Sequence, residues 1–180
     1  MHKSYLLLIT VAALCQSPVD ARPVKGKPAV MFYRKDNGAF HHFTIYDGEI
    51  QNIRASNKWY EYGPQFYAFD HQVPGLVPFY RLQKAGDHFF TVDATERLNA
   101  MKTYGYSNEN ICCYISAGPI PGTIPLFRIR KGGIHIYLAE LPTAGLGGNG
   151  WTVEGIAGYV WAARDPSGNP TLPPPVLQEP

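Results

Sequence analysis

With 180 residues, 45% hydrophobic and 17% charged, the chain has the composition of one folded domain or one set of repeats, not of a disordered segment. Its net charge of +2 comes from basic residues scattered along the sequence; there is no basic stripe, so nucleic acid is not an expected partner. Aromatics at 13%, led by 12 tyrosines, together with 18 glycines and 16 prolines, favour short strands and tight turns over long helices.

Residues 1–21 read as a secretory signal peptide. Lys3 precedes an apolar run, Leu6–Leu14, that is too short to span a bilayer. Val19 and Ala21 put small residues at minus three and minus one of a cut before Arg22. The product is expected to be secreted and extracellular, with no membrane span. Residues 22–30 read as a flexible arm. Removing the signal leaves two cysteines, the adjacent Cys112 and Cys113. Neighbouring Cα atoms lie about 3.8 Å apart, below the roughly 4.4–6.8 Å of ordinary disulfides. Packed free thiols are therefore expected, and stability must come from the core.

Three similar stretches follow: "MFYRKDNGAFHHFTIY" from Met31, "PFYRLQKAGDHFFTV" from Pro78 and "PLFRIRKGGIHIYLA" from Pro125. Arg34, Arg81 and Arg128 recur at spacings of 47 and 47, and His42, His88 and His135 at 46 and 47. Each copy closes in a Tyr-centred run, at Tyr67, Tyr114 and Tyr159. The spacing predicts three units, 31–77, 78–124 and 125–164, within a domain spanning 31–164. In each, an aromatic-Arg strand, a Gly-containing turn and a His-aromatic strand form a hairpin, and the Tyr run is a third strand.

In the second unit a helix starts at Asp93-Ala94-Thr95-Glu96, where the Asp side chain can cap the first turn, and ends at Gly105. Leu98 shares a face with Ala94 and with Met101. The first unit is expected to carry "DGEIQNIRASNK" in place of the helix. The third has "LPTAGLGGNG", too glycine-rich for one. Residues 165–180 form a Pro-rich tail, expected to be extended or disordered. A unit of about 47 residues cannot bury its own core. The expected fold is mainly β, three repeats in a closed pseudo-threefold, β-trefoil-like array; an α+β repeat array is the alternative.

"VPFYRLQKAGDHFFTVDATERLNAMKTYGY" and the later "VEGIAGYVW" resemble a secreted tandem-repeat domain of unknown function with the pattern P-L-Y-R-L…G-D-H-F-Y-T…E-R…G-Y…E-G-I-A-G-Y-V. The resemblance implies an exported accessory module of the kind found beside cell-wall or polysaccharide hydrolases. The Asp-His pair of the pattern stands only in the second unit, as Asp87-His88; the third has Ile134 before its histidine, and the first has Phe40-His41 before His42.

The recurrent histidines read as half-buried residues bonding backbone carbonyls beside the turns. Metal ligation by His42, His88 and His135 would require closure of the array to gather them, so no metal and no cofactor are expected. The arginines read as strand-bridging residues that meet a carboxylate, a carbonyl or a ring. No nucleophile motif, zinc motif or phosphate loop is present. Asp87, Glu96, Glu109 and Glu154 are the acids that could supply a carboxylate pair for glycoside cleavage, but Glu109 and Glu154 recur five residues before their tyrosines, and a catalyst needs only one site. The aromatic surplus suits stacking on sugar rings. The candidate ligand residues are Trp59, Asp87, His88, Glu109, Trp151 and Glu154, the two tryptophans being expected at exposed strand mouths. These observations point to a secreted, lectin-like, non-catalytic module for carbohydrate or cell-surface polymer. The alternatives are a cell-wall polysaccharide hydrolase and an exported protein-interaction effector.

Overall fold

The computed structural model describes residues 26–34, 41–141, 150–164, 169 and 171. Residues 1–21, expected to be a signal peptide, residues 142–149 of the glycine-rich stretch, and most of the tail lie outside the described residues. Among the described residues nine strands and two helices follow one another: β1 Lys27–Arg34, β2 His41–Thr44, α1 Asp47–Ala55, β3 Trp59–Ala68, β4 Val77–Lys84, β5 Asp87–Thr91, α2 Ala94–Tyr104, β6 Ser107–Ile115, β7 Ile124–Lys131, β8 Ile134–Leu138 and β9 Thr152–Ala162. The fold is mainly β, and all its ladders are antiparallel.

The strands form three groups with one order, the first strand lying between the second and the third: β2-β1-β3, β5-β4-β6 and β8-β7-β9. The first and last groups join through β3 and β9, where Phe66 faces Ala162 and Tyr67 faces Trp161, giving a six-stranded sheet. The middle group is a separate three-stranded sheet, tied to the others by single bridges, Phe69 to Tyr114 and Ser116 to Tyr159. Among the described residues the ladders do not close into the barrel expected from a trefoil.

Strand register revises the equivalences drawn from spacing. Pro28, Pro78 and Pro125 stand opposite Tyr67, Tyr114 and Tyr159. Counting from those prolines, Met31, and not Arg34, shares the place of Arg81 and Arg128; these three face Phe43, Phe90 and Tyr137. The histidine that matches His88 and His135 is His41, while His42 takes the place of Phe89 and Ile136. The cause is the first hairpin. Residues 35–40 join β1 to β2, whereas β4–β5 and β7–β8 turn on two residues. Those are Ala85-Gly86 and Gly132-Gly133, all at positive φ, as a type I′ turn requires. The longer first loop slides the arginine three places along its strand. The strand also starts at Lys27, inside the segment expected to be an arm.

Each third strand is bulged twice. Against β1, β4 and β7, the register slips at Ala29/Val30, Phe79/Tyr80 and Leu126/Phe127, and again near Met31, Arg81 and Arg128. The first slip makes Gln65, Cys112 and Ala157 the extra residues, which lets the adjacent Cys112 and Cys113 both be buried, as free thiols. The second slip passes Tyr62 in β3 and Glu154 in β9, beside the positive-φ residues Gly63 and Gly155; in β6 it falls at Glu109-Asn110, with Asn110 at φ 70°.

The core gathers where the second strands meet. Phe43, Phe90 and Tyr137 form a triangle of edge-to-face rings, with centroids 5.9, 6.1 and 5.2 Å apart. Around it, cross-strand pairs balance large against small: Ala29 with Phe66, Phe79 with Cys113, Leu126 with Gly158. All but Gly158 are core side chains.

α2 forms as its sequence dictates. The Asp93 carboxylate accepts the N–H groups of Thr95 and Glu96, and Gly105 closes the helix at φ 72°. Its buried residue is Ala100, beside which Met101 packs on Leu82 and Phe89, while Leu98 is 48% exposed. α1 corrects the expectation of a helix-free first unit. It lacks a side-chain cap, but Asp47 and Glu49 suit its first turn and Arg54 its last. Ile50 and Ile53, three apart, pack on Val30 and Phe32, and that tertiary contact supplies what propensity does not. The tail is anchored at Thr171, whose carbonyl accepts the Tyr67 hydroxyl at 2.9 Å and whose N–H bonds the Ala163 carbonyl at 3.0 Å.

Candidate functional site

The same set of side chains meets at two junctions between groups. Where the first group meets the second, these are Glu49 of α1, Arg81 of β4, His88 of β5 and Glu109 of β6. Where the second meets the third, they are Glu96 of α2, Arg128 of β7, His135 of β8 and Glu154 of β9. In both, the helix supplies one carboxylate to the next group's arginine, and the bulged third strand supplies the other.

The first junction is a closed ring of ionisable groups. Glu49 Oε1 lies 3.0 Å from His42 Nε2, His42 Nδ1 lies 3.2 Å from His88 Nδ1, and His88 Nε2 lies 3.2 Å from Glu109 Oε2. Arg81 closes it, with Nη1 donating to Glu49 Oε2 at 3.1 Å and Nε 3.0 Å from Glu109 Oε2. That last contact is off-angle: Arg81 Nε and Glu109 Oε2 are both buried and neither completes a hydrogen bond among the described residues. Burial pulls the Glu49 carboxyl upward, but bonds from His42, Thr44 and Arg81 outweigh it and hold it well below the carboxylate range. The neighbouring His88, then Arg81, hold Glu109 low. Burial, helped by the nearby His88 and Arg81 charges and opposed by Glu49, depresses His42.

The second junction is open. A cleft of about 540 Å³ is lined by α2 on one side and the β7–β8 hairpin on the other. In its wall the Arg128 guanidinium bonds both Glu96 oxygens at 3.0 and 2.7 Å through Nη1 and Nη2, and Glu154 Oε2 at 2.9 Å through Nε. It also lies 4.6 Å over the Phe89 ring, which fills the place that His42 holds at the other junction. His135 Nδ1 is 2.7 Å from Asp87 Oδ2, its backbone N–H donates to Asp87 Oδ1 at 2.7 Å, and its Nε2 is 3.4 Å from Glu154. The Tyr106 hydroxyl donates to Asp87 at 2.6 Å, and burial and that bond push the phenol well up. Lys84, Asn99, Tyr104 and Arg130 complete the polar lining. Burial would raise the Glu96 carboxyl, but the Arg128 bonds outweigh it and keep it ionised below its ordinary range.

The predicted residues divide between the two places. Asp87 and Glu154 belong to the second junction, and His88 and Glu109 to the first. Trp59 is not an exposed ring: it packs on the Val30, Phe32 and Ile50 cluster, 6.2 Å from His42. Trp151 is half-buried, with the Lys131 ammonium 6.0 Å above its ring. His42 and His88 touch each other, whereas His135 is held by Asp87. Among the described residues no group of three or more His, Cys, Asp or Glu is arranged to hold a metal. Of the carboxylates that the helices contribute, Glu49 drew no reading from the sequence and Glu96 was weighed only for a hydrolase pair, although the two are 47 apart, the spacing of Arg81 and Arg128.

The family described as Domain of unknown function (DUF5648) matches residues 25–161. No curated protein and no solved structure matches the chain.

Proposed function

We propose that this chain, which belongs to the DUF5648 family of domains of unknown function, is an exported, non-catalytic module that binds carbohydrate or a cell-surface polymer. The observation that carries the reading is the open cleft of the second junction. It sets planar, fixed hydrogen-bonding groups beside the rings of Tyr104 and Tyr106, the combination of stacking face and convergent polar edge that sugar hydroxyls require. The three strand groups are taken as tandem repeats in a closed pseudo-threefold array, supported by the ring triangle of Phe43, Phe90 and Tyr137 and by the bridges among the third strands.

The non-catalytic part rests on Glu96 and Glu154. A glycosidase needs one carboxyl raised so that it can donate a proton. Here both carboxylates serve one guanidinium, and Glu96 is held low. One observation favours a hydrolase instead: the Asp87–His135 pair, with Nε2 turned toward Glu154.

Retention of the purified protein on chitin, glucan and peptidoglycan tests the reading. One polymer should retain it, and Tyr104→Ala or Asn99→Ala should weaken binding about tenfold. Absence of retention on any polymer would remove the carbohydrate reading and leave a protein partner. Polymer release that vanishes in Glu154→Gln would make the chain an enzyme.

A further inference from the structure

We propose that the cleft of the second junction takes a glycan bearing carboxylates, the acid group being held between Lys84 of β4 and Arg130 of β7. This rests on the carbohydrate reading above and names the class of ligand. The cleft's own acids are engaged by partners within its wall. Glu96 and Glu154 bond the Arg128 guanidinium. Asp87, 3% exposed, meets the Tyr106 hydroxyl, the His135 backbone N–H and His135 Nδ1.

Two cations at the rim are not matched in this way. Arg128 and Arg130 stand two apart on β7, so both side chains leave the same face of the strand. Arg128 is the inner one, its side chain 16% exposed, and Arg130 the outer, at 55%. Among the described residues Arg130 has no carboxylate nearer than Glu154 Oε1, 3.4 Å from its Nε. Lys84 makes no ion pair among them. Its Nζ donates to the Tyr104 carbonyl at the end of α2 and stands 5.8 Å from the centre of the Tyr106 ring. An ammonium carries three N–H groups, so two remain for a ligand. The same Tyr106 feels Arg130: burial and Asp87 raise its phenol, and the Arg130 charge opposes them. One ring thus has both cations about it.

A carboxylate suits this pair better than a hydroxyl does. It can accept from the guanidinium fork and from the ammonium at once, through charge-assisted bonds that a neutral sugar cannot make. The Tyr104 ring, 62% exposed on the same cleft, offers a face to the sugar that carries the acid. The first junction is the protein's own comparison. There Gln83, opposite His88, holds the place that Arg130 holds opposite His135, and the groups beneath it form a closed ring.

The test measures retention of the whole protein on polygalacturonate and peptidoglycan, on both after methyl esterification of their carboxyls, and on chitin, glucan and dextran sulfate. Arg130→Gln, Lys84→Gln and Lys58→Gln are run beside it, the last removing the same charge from the turn before β3. A carboxylated polymer should retain the protein, and which of the two does so tells a uronic acid from a peptidoglycan carboxylate. Esterification, Arg130→Gln and Lys84→Gln should each weaken binding about tenfold, and Lys58→Gln should not. Retention on chitin or glucan that Arg130→Gln leaves unchanged would overturn the acidic ligand and keep the carbohydrate reading. Absence of retention on every polymer would remove both. Equal loss in Lys58→Gln, or equal retention on dextran sulfate, would be a general attraction between charges and would also overturn the site. If the cleft variants do not fold, the esterified polymers decide: unchanged retention on them would overturn it.

Discussion

The hydroxyl of Tyr137 meets both backbone groups of Phe90: it accepts the Phe90 N–H at 2.6 Å and donates to the Phe90 carbonyl at 2.9 Å. Of the three rings at the centre only this one carries an oxygen, and it satisfies a stretch of β5 backbone facing the core. Burial holds the phenol neutral, so both bonds persist across ordinary pH. Tyr137→Phe keeps the ring triangle but strands a buried N–H and a buried carbonyl. The expected cost is about 1–3 kcal/mol, read from the urea midpoint with an unchanged denaturant slope.

Gly158→Ala should destabilise by roughly 1–3 kcal/mol. A Cβ there would stand 2.5 Å from Ile115 Cδ1 and 3.3 Å from the Ser116 carbonyl oxygen, and Ile115 is fully buried with nowhere to retreat. Coupling the change to Ile115→Val should recover part of the loss; equal and additive losses would mean the clash is relieved elsewhere.

Arg128→Met installs the residue that the first group carries at the same register. It leaves Glu96 and Glu154 without the cation between them, in a partly exposed wall. Water screens the exposed carboxylates, so a loss of about 1–2 kcal/mol is expected, with Glu154→Gln restoring part of it. Thermal melts of the single and double variants measure this.

Acid should weaken the fold in a window set by its buried carboxyls. The carboxyls of Glu49, Glu96 and Glu109 are all held low in the native state. Groups lowered on folding stabilise fully above their unfolded value of about 4.3 and lose that contribution as the pH falls further. Urea midpoints should therefore drop steeply from pH 4.5 to pH 3, and less so in Arg81→Met, which lacks one of the cations.

Asp93→Ala should cost about 1 kcal/mol by uncapping α2. Since α2 carries Glu96 into the cleft, amide exchange of its first turn should quicken and polymer retention should weaken together.

What could be read in the sequence was what local chemistry decides alone. The Asp93 cap, the Gly105 stop, the two-residue turns before His88 and His135, and the β-rich class all follow from residue types at short range. Register was hidden because the triplet Phe-Tyr-Arg recurs at Phe32–Arg34 and Phe79–Arg81, while the first turn is longer and moves the pairing under it. α1 was hidden because it has no cap and is held by Ile50 and Ile53 against another strand. The bulge that turns both cysteines inward leaves no residue signature around Cys112. Half the site was visible through its repeating histidines and third-strand glutamates. The pairing of the helix glutamates with the arginines was not, since those partners lie in the next group.

The seam of β3 with β9 joins residues nearly the whole domain apart, Tyr67 with Trp161, and Thr171 fastens onto it from beyond the last strand. The hairpins are local and can form as soon as their own residues are available, but the six-stranded sheet cannot exist before β9 does. A chain emerging from its N-terminus therefore carries β3 with one edge unpaired until its end is made. Loss of the last strand would leave that edge open to the β9 of another copy, making exchange of β9 between molecules the characteristic misassembly of this architecture.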